Sequence, residues 1–272
     1  MQSDQSSDFC LLCDLGNSSI KVALGTGPRP VSEGLDPLLS WAHKGSTQPS
    51  TWWPLWRELE ARKIQPSRIL LSSVAGSRVC DSLLVGFQRE GMSSVQVNPD
   101  AGLELRIRHP ETAGMDRLYA ARAAFEWAGQ KSVIVVDAGT ALTVDVVVPD
   151  AAGSGGAFLG GAIAPGPEML ASALGEGGAK LSKVQPEPHV KALGQETSEA
   201  LASGVVVGFE GAALHLVERL VLEAQLEDPT VVLTGGASDY LERVLSKRGW
   251  NLVHEPSLVP FGLWLAAGDS RA

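Results

Sequence analysis

At 272 residues the chain is long enough for one large domain or two of ordinary size, with a core that needs no covalent staples. A formal charge of −9 without any cluster of Lys and Arg argues against a nucleic-acid-binding surface, and no apolar run reads as a bilayer span, so neither nucleic acid nor membrane is expected as a partner. Three cysteines cannot build a disulfide framework, and the polar, acidic opening MQSDQSSD is unlike a secretion leader, so a cytoplasmic protein is expected.

In chain order, Cys10 to Cys13 forms a short apolar strand that runs into Asp14-Leu15-Gly16-Asn17-Ser18-Ser19 and continues as Ile20 to Leu24. The C-x-x-C at Cys10 and Cys13 is not a metal motif, because side chains alternate along a strand and positions three apart face opposite ways. Gly25 to Gly45, rich in Gly and Pro, reads as an irregular connection or edge segment. Trp52, Leu55, Trp56 and Leu59 then recur at helical spacing, which favours core packing over base stacking, and Pro54 suits a first turn. A buried strand follows at Ile69 to Val74, a helix at Asp81 to Arg89 and a strand at Val95 to Val97. An apolar and basic strand after Gly102 leads through His109-Pro110 into a helix whose first turn carries Met115-Asp116-Arg117 and which stops near Gly129. A carboxylate there complements the helix dipole, whatever else it does.

Val133 to Val148, VIVVDAGTALTVDVVV, is the chemical centre of the reading. Two β-branched blocks flank Asp137-Ala138-Gly139-Thr140, so a β-hairpin carries a carboxylate for a cation, a glycine for close backbone approach, and a hydroxyl and amide for phosphate oxygens. The phrase repeats the one at Asp14: strand, Asp-x-Gly, hydroxyl residue, strand. Pro149 to Gly156 reads as a turn. The glycines of Phe158 to Gly166 either admit a ligand or permit close packing. Glu176 to His189 reads as a surface loop, Thr197 caps a helix from Ser198 to Gln225, and Thr230 to Leu233 is a strand ending in Thr234-Gly235-Gly236 before a helix near Ser238. His43, His109, His189, His215 and His254 show no metal-ligand spacing and are given no catalytic role.

Two halves that each open on an Asp-x-Gly hairpin suit a nucleotide held between them. With DLGNSSIKVAL at 14–24, PETAGMDR at 110–117, DAGTALTVDVV at 137–147, LGGAIAPG at 159–166, GQETSEALASG at 194–204 and VLTGGAS at 232–238, the chain resembles type III pantothenate kinases of the acetate and sugar kinase, heat-shock chaperone and actin superfamily. The resemblance implies an α/β protein of two RNase H-like (actin-like) halves, each a mixed sheet with flanking helices. These are expected at 1–118 and 119–272, with the break near the helix containing Arg122. It implies ATP-dependent phosphorylation of pantothenate, a homodimer, Mg²⁺, and a monovalent cation such as K⁺ or NH₄⁺.

By the same resemblance, Asp116 is the base. Gly114, Met115, Arg117 and Thr197 hold pantothenate, and Thr197 as a plain cap stays open. Asp14, Leu15, Gly16, Asn17, Ser18, Ser19, Ile20, Lys21 and Thr140 bind ATP. Asp14 shapes the Mg²⁺ environment, and Asp137 binds the monovalent cation. Charge permits these roles, since a carboxylate accepts a proton and a guanidinium grips a carboxylate through paired hydrogen bonds. Two departures stand out: Ile107 replaces a tyrosine, and Ser18 stands where threonine is common. A Walker-type phosphate loop is absent, so a P-loop kinase is not expected. The rivals are another small-molecule kinase of the superfamily and a noncatalytic nucleotide-binding regulator.

Overall fold

The computed structural model describes residues 9–26, 34–150, 156–177, 185 and 187–268. Its contacts divide the chain into two units: one holds the chain up to Gly102, Glu111–Ala123 and the stretch from Ser257, and the other holds Leu103–Pro110 and Ala124–Pro256.

The first unit is built on β1 (Phe9–Leu15), β2 (Ser19–Thr26), β3 (Leu35–Ala42), β4 (Arg68–Ser73) and β5 (Val95–Val97), in the sheet order β3-β2-β1-β4-β5. Strand β2 runs antiparallel to both β1 and β3, while β4 lies parallel to both β1 and β5. Parallel pairs need crossover connections. Here α1 (Trp53–Ala61) leads into β4 and α2 (Ser77–Arg89) leads from β4 to β5. Period-two alternation sends Leu11, Cys13 and Leu15 to the face shared with Trp52, Leu55, Leu59, Leu83 and Phe87. Trp52 is a core residue, as its spacing indicates, and the half-buried Trp56 packs against the same cluster, meeting Phe87 edge-on at 5.3 Å.

The second unit contains β6 (Glu104–Leu105), the last turn of α3 (Met115–Trp127), β7 (Val133–Ala138), β8 (Ala141–Pro149), β9 (Gly156–Pro165), α4 (Pro167–Gly177), α5 (Thr197–Glu223), β10 (Thr230–Thr234), α6 (Ser238–Ser246) and β11 (Asn251–His254). Its sheet order is β11-β10-β7-β8-β9-β6. With β6 set aside, this is the order of the first sheet, with the same pattern of parallel and antiparallel pairs. The repeated phrase in the sequence is therefore a repeated fold, and both units are RNase H-like.

The last helix, α7 (Leu258–Gly268), belongs to the first unit and packs on β1, β2 and β4. It is apolar on every side, and nine of its residues are buried, as a helix without a polar face must be. A side chain on Gly262 would meet the Tyr119 carbonyl oxygen at 1.8 Å, and one on Gly25 would meet Trp264 at 2.7 Å. The contact division thus differs from a single cut at residue 118: it passes through α3 after Ala123 and returns α7 to the first unit.

Part of the Gly- and Pro-rich stretch is strand β3, the edge strand of the first sheet, in keeping with the edge-segment reading; 27–33 and most of the Glu176 to His189 loop lie outside the described residues, as do 151–155 of the expected turn. Other expectations need correction. The strand after Gly102 shrinks to Glu104–Leu105, flanked by Gly102 at φ 70° and by Pro110, which has no N–H to pair. Helix α2 starts at Ser77 rather than Asp81. Helix α5 is long and apolar enough to cross a bilayer, with mean hydropathy 1.6, contrary to the sequence reading. Its Phe209, Ala213 and Val217 instead fill the core of the second unit with Ile134, Val136, Leu233 and Leu241.

Candidate active site

Each Asp-x-Gly carboxylate sits at the end of the first strand of its sheet, on the face opposite the main core cluster. In the first unit Asp14 pairs in register with Lys21 of β2 and Ser72 of β4, so the three side chains share one face. Ser72 is fully buried, and its hydroxyl has no hydrogen-bond partner among the described residues. In the second unit Asp137 pairs with Thr143 of β8 and Thr234 of β10, and the Thr234 hydroxyl is likewise buried and unpartnered. Sequence reasoning missed Ser72, and singled out Thr234 only as the start of the Thr234-Gly235-Gly236 turn rather than as the neighbour of Asp137. The only signal was a hydroxyl residue near the end of an apolar strand, and its meaning depends on register.

The turn after Asp14 closes with the Gly16 N–H donating to the Ser19 carbonyl at 2.9 Å. Leu15 and Ile20 flank it as fully buried residues, so their side chains serve the core and only their backbone is open to a ligand. Asn17 is exposed, and Asp14, Gly16, Ser18, Ser19 and Lys21 are half-buried. The Ser18 carbonyl accepts from the N–H groups of His43 and Lys44 at 2.9 and 3.0 Å.

Gly114 to Arg117 open α3 in the same unit, all half-buried. The Asp116 carboxylate accepts the Arg117 N–H at 2.8 Å through Oδ1, which lies 2.5 Å from where a Gly114 Cβ would stand. The same position is 3.8 Å from Val74, two residues beyond Ser72, so α3 begins beside the end of β4. A carboxylate in a first helical turn is stabilised by the local backbone dipoles. Further along α3 the buried Tyr119 hydroxyl donates to the Pro99 carbonyl at 2.5 Å, and burial pushes its pKa well up. Burial, followed by the Cys10 and Asp14 charges, does the same to the Cys13 thiol, which marks it as a core group rather than a nucleophile.

In the second unit the turn Gly139 to Ala141 closes through Gly139 N–H to the Ala141 carbonyl at 3.0 Å and exposes Thr140. Asp137 Oδ1 lies 3.5 Å from a Cβ built on Gly139 and 2.5 Å from one built on Gly235, whose φ is 98°. Glycine at 235 thus lets the backbone after β10 come close to the carboxylate. A Cβ at Gly161 would stand 1.9 Å from the Val144 carbonyl oxygen, and one at Gly166 would stand 2.5 Å from the Thr140 carbonyl oxygen, so close packing accounts for both. Ile107 fills the space against Gly160.

Thr197 is the first residue of α5 and is exposed. The cap position is Glu196, with no side-chain cap bond, because Glu196 is the residue with extended backbone. This corrects the capping expectation and leaves the Thr197 hydroxyl to other partners.

Among the described residues no three His, Cys, Asp or Glu side chains gather to hold a metal. Asp14 beside the Ser72 hydroxyl, and Asp137 beside the Thr234 hydroxyl, are hard oxygen donors in small number. This fits Mg²⁺ or an alkali cation that takes its remaining ligands from water and phosphate, and does not fit a closed zinc site. A wide groove of about 1450 Å³ between α1 and α2, lined by Trp53, Trp56, Arg57 and Val85, contains none of these residues.

A model of the type III pantothenate kinase family matches residues 10–219. A type III pantothenate kinase of Thermomicrobium roseum is 34% identical over 83% of this chain and 85% of its own, and one of Alkalilimnicola ehrlichii is 33% identical over 96% and 98%. Among solved structures, a Baf family protein of Campylobacter jejuni superposes with a TM-score of 0.56 at 18% identity, covering 96% of this chain and 98% of that one. The activator of 2-hydroxyisocaproyl-CoA dehydratase from Clostridium difficile, with bound ADPNP, gives 0.50 at 14% identity over 96% and 95%. At such identities these two establish the fold alone.

Proposed function

The chain belongs to the type III pantothenate kinase family, and on that premise we propose that it transfers the γ-phosphoryl group of ATP to the primary hydroxyl of pantothenate. The products are ADP and 4′-phosphopantothenate, in the first step of coenzyme A synthesis. The observation that carries this reading is the family match across 10–219, joined to two like-folded units that each present an Asp-x-Gly hairpin.

Phosphoryl transfer asks the protein for positioning and for relief of negative charge rather than for covalent chemistry. Asp116 takes the proton of the attacking hydroxyl as the new oxygen–phosphorus bond forms and the bond to the β-phosphate oxygen breaks. Its half-burial and its place at a helix start support this, since the Arg117 N–H engages Oδ1 and holds the carboxylate in one rotamer. Arg117 grips the pantothenate carboxylate, with Gly114, Met115 and Thr197 completing the acceptor site. Backbone and side chains of Gly16 to Lys21 and Thr140 contact the phosphates. Asp14 with Ser72 would hold Mg²⁺, and Asp137 with Thr234 would hold K⁺ or NH₄⁺. Bound there, the cations would neutralise phosphate charge. We place the enzyme in the cytoplasm as a homodimer.

The test is ADP release, measured with a coupled assay in the presence of pantothenate, simple sugars or no acceptor. Release that depends on pantothenate alone is expected. Sugar-dependent release would transfer the reading to another kinase of the superfamily, and nucleotide binding without turnover would make the protein a regulator.

A further inference from the structure

We infer that His43 is a positioning residue for the phosphate turn, active only in its neutral form with hydrogen on Nε2. It lies just past the end of β3, 3% exposed, 27 residues from the turn it touches. Its ring makes two hydrogen bonds of opposite sense. Nε2 meets the Gly16 carbonyl at 2.9 Å, and the Gly45 N–H meets Nδ1 at 3.0 Å. A carbonyl can only accept and an amide N–H can only donate, so Nε2 must carry the hydrogen and Nδ1 must be bare. The backbone N–H groups of His43 and Lys44 add the two bonds to the Ser18 carbonyl. Together these four contacts fix the carbonyls of Gly16 and Ser18, and with them the direction of the peptide groups between Asp14 and Lys21.

Lys44, at φ 51°, and Gly45, at φ 75°, bend the chain so that the Gly45 N–H returns to the ring. Trp52 covers the imidazole at 6.1 Å between ring centres and is itself held by Ser82 of α2 at 2.8 Å. The charged groups on the neighbouring segments are Asp14 of β1, Lys21 of β2 and Lys44 beside the ring; Trp52 and Ser82 bring none. Adding a proton to Nδ1 turns the acceptor that Gly45 needs into a second donor, so the ring must leave Gly45 and release the turn.

This rests on the reading of 14–21 as the phosphate site, and the experiment separates the two. Amide hydrogen exchange across 14–21 and 43–45, measured without ligand, is compared for wild type, His43→Ala and His43→Gln, with ATP titrations of the same three proteins. Gln can donate to the Gly16 carbonyl but cannot be protonated. The alanine variant should lose protection at Gly16 and Lys44 and bind ATP about 3- to 10-fold more weakly, the effect of one or two net hydrogen bonds. The KM for pantothenate should stay within about twofold. The glutamine variant should recover most of both. Unchanged exchange in the alanine variant, or no recovery in the glutamine variant, overturns the inference. Altered exchange with unaltered ATP affinity instead removes the phosphates from the turn, and with them the link to the reaction.

Discussion

Replacing Gly235 by alanine tests the construction of the Asp137 half-site. At φ 98° an L-residue is strained by roughly 1–3 kcal/mol. The new Cβ would also stand 2.3 Å from the Ala138 carbonyl oxygen and 2.5 Å from Asp137 Oδ1. The carbonyl cannot simply swing aside, because it accepts the Ala237 N–H at 2.8 Å and belongs to a strand paired on both sides. Losing that bond adds about 0.5–1.5 kcal/mol. The sum is a loss of about 2–4 kcal/mol, or roughly 4–16 °C in Tm for a body of this size. Gly236→Ala is the internal control, since nothing lies within 4 Å of its Cβ position and its φ is not in the left-handed region. That variant should stay within about 0.5 kcal/mol of wild type. Thermal melts of both variants, paired with ATP titrations, decide the matter: Gly235→Ala should melt lower and bind nucleotide more weakly. If both glycine variants melt alike, the argument from close approach is wrong.

Asp116→Asn should lower kcat by about 10²- to 10⁴-fold while ATP binding survives, because the amide oxygen can still accept the Arg117 N–H but the base is gone; turnover within about threefold of wild type would sink the base assignment. Activity should require Mg²⁺ together with K⁺ or NH₄⁺, and replacing K⁺ by Na⁺ at constant ionic strength should depress it; equal rates would remove the cation from Asp137. Stability should fall in alkali. Burial raises the folded-state pKa values of Cys13 and Tyr119, so the unfolded chain loses those protons first, above about pH 8.5 and pH 10 respectively, and the folded state is penalised only as pH rises past those values. A urea midpoint that stays flat from about pH 7.5 to 10.5 would contradict this. Sedimentation of the active enzyme at assay concentration should give a dimer, and a fully active monomer would refute that assignment.

What the sequence revealed and what it hid separate by the range of the interactions. Both Asp-x-Gly hairpins were legible because strand, turn and return strand lie within 18 residues, Phe9 to Thr26, and 17 residues, Val133 to Pro149, and alternate with period two. The duplicated phrase also carried the fold, since each half repeats one sheet order. Helix α7 escaped notice because Pro260 and Gly262 interrupt an apolar run of only 11 residues, and its reason for being helical is the sheet it covers. Strand β3 was obscured by neighbouring Gly and Pro. Ser72 and Thr234 became site residues only when parallel pairing set them beside carboxylates some 58 and 97 positions away. The role of His43 had no local sign at all, for a lone histidine beside a glycine has no periodicity to betray it.

The return of α7 to the first unit also orders events during synthesis. One face of the first sheet, carrying Leu12, Ala23 and Leu70, is covered by a helix that is translated only after the second unit. Once the ribosome has made Gly102, more than 150 further residues must emerge before that face is closed, a delay of roughly 10–30 s at about 5–20 residues per second. Almost all of the second unit is translated within that interval, and its elements up to β11 need nothing from the carboxyl terminus. The amino-terminal sheet thus keeps an apolar face uncovered throughout that interval, while its carboxyl-terminal counterpart can mature first, against the usual direction of vectorial folding.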